Sequence, residues 1–300
     1  MNRIIAVLIV LVLFSCGKQK SKEVNENERK LKVISVNYPL FYFADRIGGD
    51  MIEMQFIIPD DVDPAYWTPD EEALTLYQNA DIILSNGADY AKWMENVSLP
   101  SSRIVNTSSS FSDSFIPLKN IASHNHGPEG EHEHNGFAFT TWLDFQNAIK
   151  QAETIKNILI KKIPSEEKLL NENFESLKSD LQMLHKEMMN CGLELKEYEV
   201  VGSHPVYQYL SKAYDLNIKS VHFEPDVLPS KEQWKNLDQL LTESSSNLML
   251  WENSPIPDIK NELVIRNLKI IVFNPCANKP IEEDFLSVMK NNISNFKNEL

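Results

Sequence analysis

The chain has 300 residues, with 29 basic and 43 acidic side chains and a formal net charge of −14. So acidic a balance argues against nucleic acid as a partner, because binding to phosphate needs clustered Lys and Arg. It suits an exported soluble protein that draws cations toward its surface. The length is enough for two lobes, each with its own core.

After Asn2 and Arg3, residues 4–14 are uninterruptedly apolar. A helix that crosses a bilayer needs ~20 such residues, so this shorter run reads as the core of a signal peptide. It leads into Leu13-Phe14-Ser15-Cys16-Gly17, which resembles the lipobox of bacterial lipoproteins. Residues 1–15 are thus expected to be a lipoprotein signal peptide, and Cys16 the lipid-bearing first residue of the mature chain. Residues 16–30, rich in Lys, Glu, Asn and Ser, read as a flexible tether. The expected location is the cell envelope, lipid-anchored to a membrane and facing the periplasm or the cell exterior. Beyond Cys16 only Cys191 and Cys276 remain. One disulfide between them is conceivable in an oxidising compartment, and their spacing does not decide it.

Residues 31–150 read as an N-terminal α/β lobe. A β-rich run covers 31–37, a helix-like run 41–47 stops at Gly48-Gly49, and a second strand covers 52–58. Thr68 is placed to cap a helix, with Pro69 at its first position and acids in the first turn. Residues 82–85 form another apolar strand, ended by Asn86-Gly87. Strands alternating with helices imply a parallel sheet flanked by helices.

Within this lobe, residues 123–136 hold four of the seven histidines, His124, His126, His132 and His134, with Glu129, Glu131 and Glu133 among them. Neutral imidazole is a favoured nitrogen ligand of zinc, copper and nickel, and carboxylates attract cations and also ligate them. The loop therefore reads as a metal-capturing segment. Gly127, Pro128, Gly130 and Gly136 supply turns and are expected to bar a stable helix or strand.

Between 165 and 190 the apolar residues Leu170, Phe174, Leu177, Leu181, Leu184 and Met188 recur every three or four positions. That is one stripe on a long helix, suited to link two lobes. Residues 192–300 then read as a second α/β lobe, with strands at 198–203, 218–223, 247–251 and 269–273 and helices at 205–214 and 231–241. No internal repeat is evident beyond the shared α/β rhythm.

Several short motifs now line up in order: Val36-Asn37-Tyr38-Pro39-Leu40, Asp45-Arg46-Ile47-Gly48-Gly49-Asp50, Asp63-Pro64, the run from Asn79 to Ala88, Trp142-Leu143-Asp144 and Gly202-Ser203-His204-Pro205. Together they resemble the zinc and manganese solute-binding lipoproteins of ABC importers over most of residues 32–290. The resemblance implies two α/β lobes joined by one long rigid helix, with a metal ion held in the cleft between them. It also implies a membrane permease as partner, and zinc as cargo, with manganese or another divalent transition metal as alternatives.

The chain departs from that family at the metal ligands. Ala65, Thr140 and Asn274 stand where the resemblance implies metal-binding side chains, and only His204 is kept. A single imidazole does not close a zinc site, which takes about four donors. Three readings follow. In the first, ligands have moved, and His204 is joined by His132 or His134 and by Glu224 or Glu252. In the second, the cleft takes an organic or metal-chelate ligand against Trp67, Trp142, Tyr207 and Trp251. In the third, only the loop scavenges metal, and the body docks to a partner. Glu252 follows an apolar run, at the strand end where open α/β sheets bind ligands. His185 and His222 read as structural, and Asp144 as a helix cap. An enzyme is not expected: Ser203 and His204 are adjacent on an extended strand and point to opposite faces, and no phosphate loop or metalloprotease motif is present.

Overall fold

The computed structural model describes residues 29–60, 62–118, 121–125, 131–134, 136–224, 227–244 and 246–299, the hairpin strands 121–125 and 131–134 by their backbone alone. The expected signal peptide, Cys16 and His126 lie outside the described residues.

The N-terminal lobe is built on β1 (Leu31–Ser35), β2 (Ile52–Gln55), β3 (Ile82–Ser85) and β4 (Ile104–Asn106), all parallel, in the order β2-β1-β3-β4. The sequence reading missed β4, which is only three residues long. Strand β1 ends two residues early because Asn37 is taken as a helix cap. Its side chain accepts the Leu40 amide and starts α1 (Tyr38–Gly48), with Pro39 in the first turn. Helix α2 (Glu71–Asn79) likewise starts later than Thr68-Pro69 suggested, because the Asp70 carboxylate caps it through the Ala73 amide at 2.8 Å.

The C-terminal lobe holds β7 (Glu199–Gly202), β8 (Asn217–Ser220), β9 (Leu248–Trp251) and β10 (Lys269–Val272), parallel, in the order β10-β9-β7-β8. Helices α5 (Gln208–Tyr214), α6 (Lys231–Glu243) and α7 (Pro257–Ile265) connect them. The first strand of each lobe is flanked by its second on one side and its third on the other, so both sheets share one topology that the sequence does not betray as a repeat. In each, the connections reverse direction at that first strand, the switch point at which such sheets form a crevice.

Helix α3 (Phe145–Lys162) packs beside α4 (Glu167–Leu195), which runs on from the first lobe to the second. Its 29 residues span ~43 Å, and the expected stripe from Leu170 to Met188 is buried and continues through Cys191 and Leu195. Gly192 allows α5 to approach, since a Cβ there would sit 2.2 Å from the Tyr214 carbonyl oxygen. Helix α8 (Phe285–Glu299) returns to pack on α4 and α1, and one core cluster runs from Val33 through α4 to Phe296. Cys191 and Cys276 are both buried as free thiols, so no disulfide joins them.

The His-rich segment differs from expectation. It forms an antiparallel hairpin of β5 (Ile121–Asn125) and β6 (Glu131–His134), with His124 opposite His132 in the register. The alternation of His with other residues is compatible with the two-residue period of a strand, and Gly127, Pro128 and Gly130 fall between the two strands.

Candidate metal centre

The polar residues of interest collect at the carboxyl ends of the C-terminal strands. His204 follows β7 by two residues, in a segment fixed by the Ser203 amide donating to the Leu250 carbonyl and the Ser203 carbonyl accepting from Phe223. His222 and Glu224 follow β8, and Glu252 follows β9 directly. Since β8, β7 and β9 are neighbours, three adjacent strand ends present their side chains to one crevice. Nδ1 of His204 lies 3.9 Å from Oε1 of Glu224, and the His204 and His222 rings stand edge to face with centroids 5.9 Å apart.

From the other lobe, the loop after β2 brings Asp63 and Tyr66. Burial, together with the negative charges of Asp63 and Glu224, pushes the Glu252 carboxyl up to about 8. Burial and the charges of Asp63, Glu224 and Glu252 raise the Tyr66 phenol above its ordinary range. These mutual effects place three carboxylates and a phenol, from both lobes, in one electrostatic neighbourhood. Such a cluster gains most from a cation, which would reverse every one of these shifts.

A small cavity of about 20 Å³ lies between Tyr66, Phe139 and Thr140 on one side and His204, Val206 and Gln208 on the other. It has room for about one water molecule or ion, whereas organic ligands occupy ~300 Å³ or more. Leu118 and Ala138, at the foot of the His-rich hairpin, also line it. A wider open groove of about 650 Å³ lies on α6 and α7, among Lys231, Trp234, Asp238 and Arg266, and none of the expected site residues lines it.

The positions vacated by the expected ligands have structural partners instead. Thr140 is buried and its hydroxyl donates to the Val206 carbonyl at 2.5 Å. Asn274 donates through Nδ2 to Asn253 and accepts the Cys276 amide through Oδ1. Ala65 packs against the core, and its amide donates to the Asp63 carboxylate. Among the described residues, no three His, Cys, Asp or Glu side chains converge to hold an ion in this conformation. The donors are gathered but not closed.

Of the aromatic residues expected to line the cleft, three are core. Trp142 is fully buried and donates through Nε1 to the Pro275 carbonyl, Tyr207 donates to the Phe273 carbonyl, and Trp251 is buried near Phe223. Trp67 belongs to a cluster with Tyr77 and Trp93. His185 sits on α4 beside the Tyr214 hydroxyl, and Asp144 caps α3. His222, which reads as structural in the sequence, stands beside His204, and Asp63 and Tyr66 lie close enough to feel the same carboxylates. His222 sits two residues from Glu224, beyond the end of a strand, and that was the signal available.

The architecture is thus two parallel α/β lobes with a helix running between them and a polar crevice at their strand ends. The chain belongs to the family described as ZnuA, the periplasmic component A of a zinc-uptake complex, which matches residues 33–299. This is a family of transporter solute-binding proteins and not of enzymes. The chain is 23% identical over 305 residues to the zinc-binding lipoprotein AdcA of Streptococcus pneumoniae, and this covers 98% of the chain but 60% of AdcA. It is 24% identical to the high-affinity zinc uptake system protein ZnuA of Bacillus subtilis, over 99% of the chain and 96% of that protein. Among solved structures, the metal-dependent lipoprotein YcdH of Bacillus subtilis superposes with a TM-score of 0.76 at 21% identity, covering 90% of this chain and 100% of that one.

Proposed function

We propose that this protein is the metal-capturing lipoprotein of an ABC importer, with a relocated site in which His204 and Glu252 hold a divalent transition metal together with Glu224, His222 and Asp63. The observation that carries this reading is the gathering at neighbouring strand ends of His204, whose Nδ1 lies 3.9 Å from Glu224, and His222, whose ring centroid stands 5.9 Å from that of His204, with Glu252 raised by burial and by the charges of Asp63 and Glu224. Zinc fits two imidazoles with carboxylates, and the same oxygen-rich set also accepts manganese. Rotation of Glu224 and Glu252 toward His204 would close the donors on an ion.

The His-rich hairpin is the capture arm. Residues opposite one another in an antiparallel pair are near neighbours, so His124 and His132 can share an ion. Leu118 and Ala138, which flank the hairpin in sequence, line the cavity beside His204, and His134 and His126 are further candidate donors. Anchored to the membrane through Cys16, the protein would hand its ion to a permease. The chain spans about 60% of the length of AdcA, so importer and permease belong to the proposal.

The test is zinc titration against a competing chelator on the parent, His204→Ala, Glu252→Gln and a deletion of residues 123–136. The reading requires one tight site that survives the deletion and is lost in both point variants. Tight zinc binding by His204→Ala would reject it.

A further inference from the structure

The segment between β10 and α8 leaves the second lobe and fastens to the first at successive residues. The Pro275 carbonyl accepts from Trp142, the Ala277 carbonyl accepts from the Tyr38 amide at 2.8 Å, and Asp284 accepts from the Tyr42 hydroxyl. Between them, Asn278 makes the contact with a consequence for the cleft. Its Nδ2 donates to two carbonyls, Pro59 at 2.6 Å and Val62 at 2.7 Å, while its Oδ1 accepts the Lys279 amide. Both side-chain protons are therefore spent on the turn that immediately precedes Asp63, across the lobe boundary.

We propose that Asn278 is a positioning residue of the metal centre, holding the Asp63 loop of the first lobe over His204 and Glu252 of the second. This rests on the cleft reading above. Asp63 is followed by backbone that turns back on it: the Tyr66 and Trp67 amides donate to its carbonyl and the Ala65 amide to its carboxylate. The loop from Asp63 to Trp67 is thus a unit, and the turn at Pro59 and Val62 sets where that unit sits. Few other groups could do what the Asn278 carboxamide does. Two carbonyl oxygens need two protons from one small planar group, and an aspartate of the same size has none to give.

The origin of the strap is legible too. Asn274, where the family resemblance implied a ligand, instead folds its own carboxamide onto the Cys276 amide and is held by Asn292 through its backbone. Cys276 adopts a left-handed conformation, φ 57°, and this turn sends the chain toward the first lobe. The position where the resemblance implied a ligand is the root of the strap that reaches the turn before Asp63.

The experiment measures zinc affinity by chelator competition on the full-length protein for Asn278→Ala, Asn278→Asp, Asp63→Ala and the double variant Asp63→Ala/Asn278→Ala. Each Asn278 variant is expected to weaken zinc about tenfold, and Asn278→Ala is expected to cost nothing further once Asp63 is gone, because both act through one contact. A loss that is equally large in the Asp63→Ala background would overturn the proposal, since a general structural defect behaves that way. So would parent-like affinity in both Asn278 variants while His204→Ala and Glu252→Gln lose the ion. If those two control variants also bind as the parent does, it is the cleft reading that fails. Should Asn278→Ala not fold, the isosteric Asn278→Asp, alone and combined with Asp63→Ala, carries the same comparison.

Discussion

Replacing Glu252 by glutamine tests the centre of the electrostatic argument. With its carboxyl held near 8, about nine-tenths of Glu252 is protonated at pH 7, so binding a cation there must expel ~0.9 proton. Burial and the neighbouring carboxylates bring the Glu252 carboxyl into the interval between pH 7 and 9. Zinc affinity should rise about tenfold across that interval in the parent, whereas the weak residual affinity left in Glu252→Gln should not change with pH. Titration calorimetry at pH 7 in two buffers of different ionisation enthalpy gives the released proton directly. Equal proton release by parent and variant, or an unchanged pH slope, would refute the assignment of Glu252 as a ligand.

The same group makes a stability prediction of opposite sense. Folded Glu252 keeps its proton up to about 8, whereas an unfolded glutamate loses it near 4.5, so metal-free protein loses stability as pH rises through that window. Glu252→Gln should raise the Tm of the metal-free protein at pH 8 and change it little near pH 4.5, as followed by circular dichroism. Trp142→Phe removes the bond to Pro275 inside the core and should cost ~1–3 kcal/mol in urea unfolding, because it leaves the buried carbonyl without its donor. Deleting residues 123–136 should lower total zinc stoichiometry while leaving the unfolding midpoint within error, as elemental analysis and melting would report. Cys16→Ala should move the protein from the membrane fraction to the soluble fraction on cell fractionation, because the lipid anchor is lost.

The fold was legible where local chemistry and global packing agree. The stripe from Leu170 to Met188 has only one way to be buried, and short apolar runs between helical segments gave seven of the eight parallel strands. Element ends were harder, since Asn37 and Asp70 each compete with a neighbour for the role of cap, and the winner is decided by packing. Strand β4 has too few residues for periodicity to register. Of the candidate site, His204, Glu224 and Glu252 were readable because they follow strand-like runs. His222 read as a strand residue until β8 was seen to stop at Ser220, and Asp63 becomes relevant only when the lobes face each other. A buried Trp and a ligand-facing Trp look alike in sequence, and the structure buries Trp142, Tyr207 and Trp251.

The arrangement of the core bears on how the molecule comes apart. One apolar cluster runs through both sheets, α4 and α8, so the lobes share their interior and should unfold together. The layer of α6 and α7 rests on a separate, smaller cluster around Phe223, Leu237, Trp251 and Leu263. Amide protons of α6 and α7 should therefore exchange through a low-energy opening of that layer alone, while those of α4 and β1 wait for global unfolding. Because Trp251 belongs to the smaller cluster and Glu252 follows it, this opening would loosen the second-lobe wall of the crevice without disturbing the helix that connects the lobes.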